Sequence, residues 1–395
     1  MAQAASLPLP RASSASSSTA AAAVPWYIWC AVLANTSSMI GVHWDISWHR
    51  SIGRDTFWTP AHVAIYFCGV LAGLSSAYMI LSATFSASAA HLRETGVKMW
   101  GFRGPLGAFI MAWGGIAMLT SAPFDNWWHD AYGLDVRIIS PPHTILAMGI
   151  FNIQLGAVML ILGAMNRVAG EGSRLLGWLY LYLGGLTIVN MGTFIMEYTF
   201  RVNMHSGVYY LSVALALPFF LFAIAGSARV PWAATKIAAL YMLFWQVMNV
   251  ILPLFPAEPK LGPVNFPVTH FVPSTFPMLL VFPAVLADLF LQRAQRWKAW
   301  AAGAASGVIF LGGLLAVQWP FAYFLLSPAA RNWFFYTHYF DYRTTRRSYN
   351  FRHEFFPWEK TPEEFAWNLA LAFAAAMLTA ALGLAFSRWL SRVKR

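Results

Sequence analysis

Two carboxylate–imidazole sets recur eighty residues apart in this chain. The first comprises Asp45, His49, Gly53, Asp55, Pro60 and His62; the second comprises Asp125, His129, Gly133, Asp135, Pro142 and His143. Each reads D-x2-W-H-x3-G-x-D, then a proline and a histidine that open an apolar run. A carboxylate and an imidazole four residues apart share one helical face, about 6 Å apart along the axis. A second histidine at the start of the next helix can close on the same point. The product is an O/N/N ligand set for a metal ion. Asp45, His49 and His62 form one candidate metal set, and Asp125, His129 and His143 the other. Asp55 and Asp135 are expected behind them, each orienting an imidazole through its other ring nitrogen. His43 lies about 200° around a helix from Asp45, so it supports the set only if the helix has already ended. The plain alternative is that these groups satisfy one another or cap helix ends. Recurrence of the same five residue types weighs against it.

Mixed carboxylate and imidazole ligation suits copper, iron or zinc, and the lack of a nearby cysteine disfavours a blue-copper centre. The D-x3-H-x12-H spacing of Asp45, His49 and His62 resembles the metal site in the C subunit of the particulate methane and ammonia monooxygenases. Those are copper membrane enzymes that hydroxylate small, unreactive substrates. The resemblance implies copper as the favoured metal, with Asp45, His49 and His62 as its ligands. It also implies a monooxygenase-like oxidoreductase or a subunit of one. The second copy, D-x3-H-x13-H, is one residue longer.

The elements that must position these groups are membrane helices. The chain of 395 residues is 58% hydrophobic and only 10% charged, against about 25% charged in soluble domains. Ten apolar runs predict an all-α, polytopic membrane bundle of about ten transmembrane helices, near 24–43, 60–83, 104–121, 140–165, 174–195, 207–228, 232–255, 272–292, 299–326 and 364–387. The motif copies fall on two helical hairpins, 24–83 and 104–165, which read as a duplication. Residues 1–23 are Ala/Ser-rich and read as a disordered cytoplasmic tail. Residues 24–326 hold nine spans, 327–363 a long outer loop, and 364–395 the last span with a basic cytoplasmic tail.

Charge orients the bundle. With the N-terminus in the cytoplasm, fifteen Lys and Arg fall on the inner side and five in the short outer loops. Both termini are then cytoplasmic and both motifs face outward, as in a bacterial inner membrane protein. The net charge of +11 accordingly implies lipid contact and topology, not nucleic acid. Loop 327–363 interleaves Phe334, Tyr336, Tyr339 and Phe340 with Arg343, Arg346, Arg347 and Arg352, a surface for membrane or periplasmic partner subunits. Glu197, Arg201 and His205 are expected on one face of a continuing helix, and Asp288 paired with Arg293.

No phosphate-binding loop, dinucleotide fingerprint or Ser-His-Asp arrangement occurs. Histidines at helix ends argue against paired haem ligation in mid-membrane. Two rival readings stay open. A transport or metal-handling protein requires polar groups through the membrane middle, and few are present. A non-catalytic structural subunit would use the same groups to stabilise helix ends.

Overall fold

The computed structural model describes residues 24–133, 140–167, 171–262, 264, 268–330, 332–335 and 358–393. The Ala/Ser-rich tail, Asp135 and most of loop 327–363 lie outside the described residues. In chain order the elements are α1 (Trp26–Ser51), α2 (Pro60–Phe85), the short α3 (Ala90–Glu94), a hairpin of β1 (Val97–Met99) and β2 (Phe102–Gly104), α4 (Leu106–Tyr132), α5 (Pro141–Met165), α6 (Glu171–Phe194), α7 (Gly207–Ser227), α8 (Ala233–Ile251), α9 (Val281–Arg293), α10 (Ala299–Leu326) and α11 (Pro362–Leu390). Eight of them, α2, α4 to α8, α10 and α11, are long and apolar enough to cross a membrane. The protein is a multi-pass helical membrane bundle.

Two expected runs come out differently. The run 24–43 forms α1, which continues to Ser51 and so carries the first motif on helix. Its length suffices for a crossing, but Asn35, Thr36, Ser37, Ser38 and His43 dilute its apolar character. The run 272–292 is only half helical: residues 271–279 form no regular element, and α9 spans 13 residues. Pro273 and Pro277 lack the N–H that a helix interior needs. Buried side chains satisfy the freed backbone instead. Trp245 Nε1 and Asn249 Nδ2 donate to the Thr275 carbonyl at 2.8 and 3.2 Å. Tyr241 Oη accepts from Met278 N at 3.1 Å, and Gln318 Oε1 accepts from Leu279 N at 3.0 Å. Irregular backbone at membrane depth is tolerated only where protein satisfies it in this way.

Asp288 does not serve Arg293 as expected. Its Oδ2 accepts from Thr235 N and Oγ1 at 2.8 and 2.7 Å, so α9 caps the first turn of α8. Nor do Glu197, Arg201 and His205 share a helical face, because α6 ends at Phe194 and the chain turns tightly through 195–206. His205 stacks on Trp319 of α10, with ring centroids 4.1 Å apart.

Small residues let the motif-bearing helices approach closely. A Cβ on Gly114 of α4 would sit 2.6 Å from the Gly149 carbonyl of α5, and one on Gly107 would press on the Gly156 carbonyl. Two glycine pairs seven residues apart therefore set the α4–α5 crossing, as small residues do between membrane helices. A Cβ on Gly115 of α4 would sit 3.0 Å from the Gly69 carbonyl and 3.4 Å from the Gly73 backbone of α2. Thus α2 and α4 pack together, and the two motif-bearing hairpins stand side by side.

Candidate metal centre

The first motif begins near the end of α1. Asp45 and His49 occupy successive turns of its last stretch, and the helix ends at Ser51. Gly53 follows at φ +102°, a left-handed conformation that favours glycine. Trp48 does not wall the site; its Nε1 donates to the Arg54 carbonyl at 3.2 Å and holds the turn. A loop from elsewhere braces this turn, with Lys260 Nζ on the Ser51 carbonyl at 2.6 Å and Leu261 N on the Ile52 carbonyl at 3.0 Å. Pro60 then starts α2, which places His62 in its first turn.

Four side chains converge there. His62 Nε2 lies 3.2 Å from Asp45 Oδ1 and 3.1 Å from Asp55 Oδ2. His49 Nε2 lies 3.6 Å from Asp45 Oδ2 and 3.4 Å from Asp55 Oδ2. Ligand atoms of Asp45, His49 and Asp55 fall within 4.8 Å of one another. Asp55 is thus placed differently from the sequence expectation: it meets the same ring nitrogens as Asp45, from among the set and not from behind it. Burial opposes ionisation of Asp55, but the imidazoles of His49 and His62 outweigh that and hold its carboxyl well below the usual carboxylate range.

The second motif repeats the construction on α4 and α5. Asp125 Oδ2 lies 3.4 Å from His129 Nε2, and Asp125 Oδ1 lies 3.5 Å from His143 Nε2. Gly133 is again left-handed, at φ +87°. Its carbonyl stands 3.4 Å from His129 Nδ1, while His129 Nε2 faces Asp125. His143 sits in the first turn of α5 behind Pro141 and Pro142, and Ser140 Oγ caps that turn by accepting from His143 N at 3.4 Å.

These separations suit ion pairing and metal ligation alike. Hydrogen bonds between imidazolium and carboxylate run about 2.7–2.9 Å. Atoms about 2.1 Å from a common ion at tetrahedral angles lie about 3.4 Å apart. All six nitrogen–oxygen distances fall between 3.1 and 3.6 Å. Asp45 Oδ1 and Asp125 Oδ1 are buried, each facing one imidazole, that of His62 at 3.2 Å and that of His143 at 3.5 Å. An ion between the donors would give these oxygens a further partner. The donor set therefore fits a divalent metal.

The two sets share their surroundings. Asp45, His62, Asp125 and His143 line one cavity of about 140 Å³. Asp55, His62, Asp125 and His129 line a second, of about 210 Å³. Tyr66 lines both. Sequence reading missed Tyr66, although it follows His62 by four residues and so shares its helical face. Asn190, contributed to the first cavity by α6, carried no motif signal. His43 is not at the site. Because α1 is helical through Ser51, His43 points elsewhere, fully buried, with its ring 4.7 Å from that of Trp245 and its Nδ1 3.0 Å from the Met39 carbonyl.

No family model, curated protein or solved structure matches this chain.

Proposed function

We propose that this protein is a membrane metalloprotein with two adjoining metal sites. Asp45, His49, Asp55 and His62 hold one ion; Asp125, His129 and His143 hold the other. Copper is the favoured metal, and iron or zinc would be served by the same donors. The observation that carries the reading is the convergence of Asp45, His49 and Asp55, whose ligand atoms lie within 4.8 Å of one another, with His62 against both carboxylates. In that state the metal supplies a centre that activates oxygen or accepts electrons. The chain's own residues would fix the ligand geometry from helix ends, beside a partly apolar cavity.

The resemblance of the first motif to the particulate monooxygenase C subunit supports an oxidoreductase of monooxygenase type, or a subunit of one. A transport role is less well supported, because the cavity wall beyond the ligands is built mainly from Val42, Ile46, Ile65, Leu146 and Ile150, not from a polar path. In this reading α1 and the half-helical segment 271–293 complete ten crossings, and the two hairpins are a duplication. Both termini face the cytoplasm, the metal sites face outward, and loop 327–363 receives a partner subunit.

Metal content tests the proposal. Protein purified in mild detergent with copper supplied should carry one equivalent per motif. His49→Ala and His129→Ala should each lose about one equivalent while staying monodisperse. Wild type without metal would overturn the proposal.

A further inference from the structure

The shared cavity carries a second feature that bears on what it holds. Away from the proposed metal ligands, its wall is apolar except at Tyr66, Asn190, Ser121 and Thr193. Ser121 Oγ donates to the Met118 carbonyl at 2.8 Å, and Thr193 Oγ1 donates to the Val189 carbonyl at 2.9 Å. Both hydroxyl protons are therefore committed to their own helices, and only lone pairs remain.

The Asn190 amide is oriented by a relay that begins at the backbone. The Leu186 carbonyl can only accept, so the buried Gln154 must turn its NH2 toward it, at 3.4 Å. Gln154 Oε1 then faces the other way and accepts from Asn190 Nδ2 at 2.9 Å. This order of donors fixes which end of each amide is which. It leaves the Asn190 carbonyl edge, Oδ1, without a partner beside the cavity. Apart from the Tyr66 phenol at the ligand end, the free polar atoms of this wall are acceptors.

We propose that the cavity takes a small molecule with an apolar body and one O–H or N–H donor, held by Asn190 Oδ1: a short alcohol, a phenol or an amine. The inference rests on reading this cavity as the reaction chamber of the proposed metal centre. Asn190 is the specificity-determining residue, and Gln154 is a positioning residue that acts through it. The volume of about 140 Å³ sets the size. A cavity of roughly 150 Å³ holds benzene, so about six or seven heavy atoms fit. A donor-free hydrocarbon fills the same space but leaves Oδ1 unsatisfied. That difference corresponds to about five- to tenfold in affinity.

Phenol and benzene are the probes. Their affinities are measured by equilibrium dialysis on the protein as isolated, in lipid nanodiscs, with empty nanodiscs as the partition blank. Metal per chain is measured on the same samples. Wild type should favour phenol by about five- to tenfold beyond partition. Asn190→Leu should abolish that preference, as should Asn190→Ala, which removes the amide without adding bulk. Gln154→Leu should weaken it. Ala147→Phe, which fills the cavity from α5, should lose both probes and keep its metal. Equal binding of the two probes by wild type would overturn the inference. So would a preference that survives both Asn190 variants, or probe binding untouched in Ala147→Phe. Wild type that lacks metal but shows the Asn190-dependent preference would sink the metal reading alone.

Discussion

Asp55 and Asp45 come from different stretches of chain, a loop and a helix, yet each stands within 3.6 Å of the same two imidazole nitrogens. Equivalence of position implies equivalence of role. Asp55→Ala should therefore remove the first metal about as completely as His49→Ala does. A residue that merely oriented an imidazole would leave binding weakened about 10- to 100-fold and still measurable by titration. His43→Leu gives the contrast. His43 packs in a T-shaped contact with Trp245, away from the cavities, so metal content should not change. Asp55 also sets a pH dependence in the metal-free protein. Its folded carboxyl titrates below the unfolded value of about 3.9, so its stabilisation is present above that pH and drains away as pH falls further. Asp55→Asn should flatten the acid limb of a plot of unfolding midpoint against pH; an unchanged limb would show that the imidazoles do not hold the charge. The meeting of Asp45 with His49 and of Asp125 with His129 was legible in sequence because helical spacing alone puts each pair on one face. The placement of Asp55 was not, since a loop after a left-handed glycine has no period from which to read direction.

At the scale of elements, glycine spacing fixes how the ligands meet. Asp125 comes from α4 and His143 from α5, so their separation depends on the crossing at Gly114 and Gly149. Gly114→Val must push the helices apart. It should cost about 1–3 kcal/mol of stability, as overpacking does, and lose the second metal while the first is kept. Loss of both ions would mean that the sites do not fold independently. Gly53→Ala acts on the first site alone. At φ +102° a Cβ is strained, and it would stand 2.9 Å from the Gly262 carbonyl, so the cost is about 1–2 kcal/mol and the first metal should weaken selectively. The helices themselves were largely visible as apolar runs. The run 272–292 shows the limit, because composition reports burial while helix formation needs every N–H. Pro273 and Pro277 carried the warning. The partners that make irregular chain tolerable there, Trp245, Asn249, Tyr241 and Gln318, lie on two other helices and leave no local trace.

Across the whole molecule, an eighty-residue repeat says nothing about distance, and the meeting of both sets at common cavities had to come from tertiary packing. Gly69, Gly73 and Gly115 bring α2 against α4, and that contact carries His62 to the cavity that Asp125 also lines. Charge predicts which side of the membrane this end faces, and that is testable separately from any metal. Lys98 lies exposed on β1, in the connection between the hairpins at the end opposite the motifs, together with Arg93 and Arg103. Asn126 is exposed on α4 beside Asp125. Moving a basic connection across the membrane is disfavoured, so the Lys98 end should stay inside. The native Cys68 is buried and Cys30 half-buried, which leaves little background for thiol labelling. In intact cells a membrane-impermeant maleimide should label Asn126→Cys, and should label Lys98→Cys only after the membrane is opened. The reverse pattern would put the metal sites on the cytoplasmic side, where they would draw on the cell's own metal pool and reductants. Any oxidoreductase reading would then need an electron donor from that compartment.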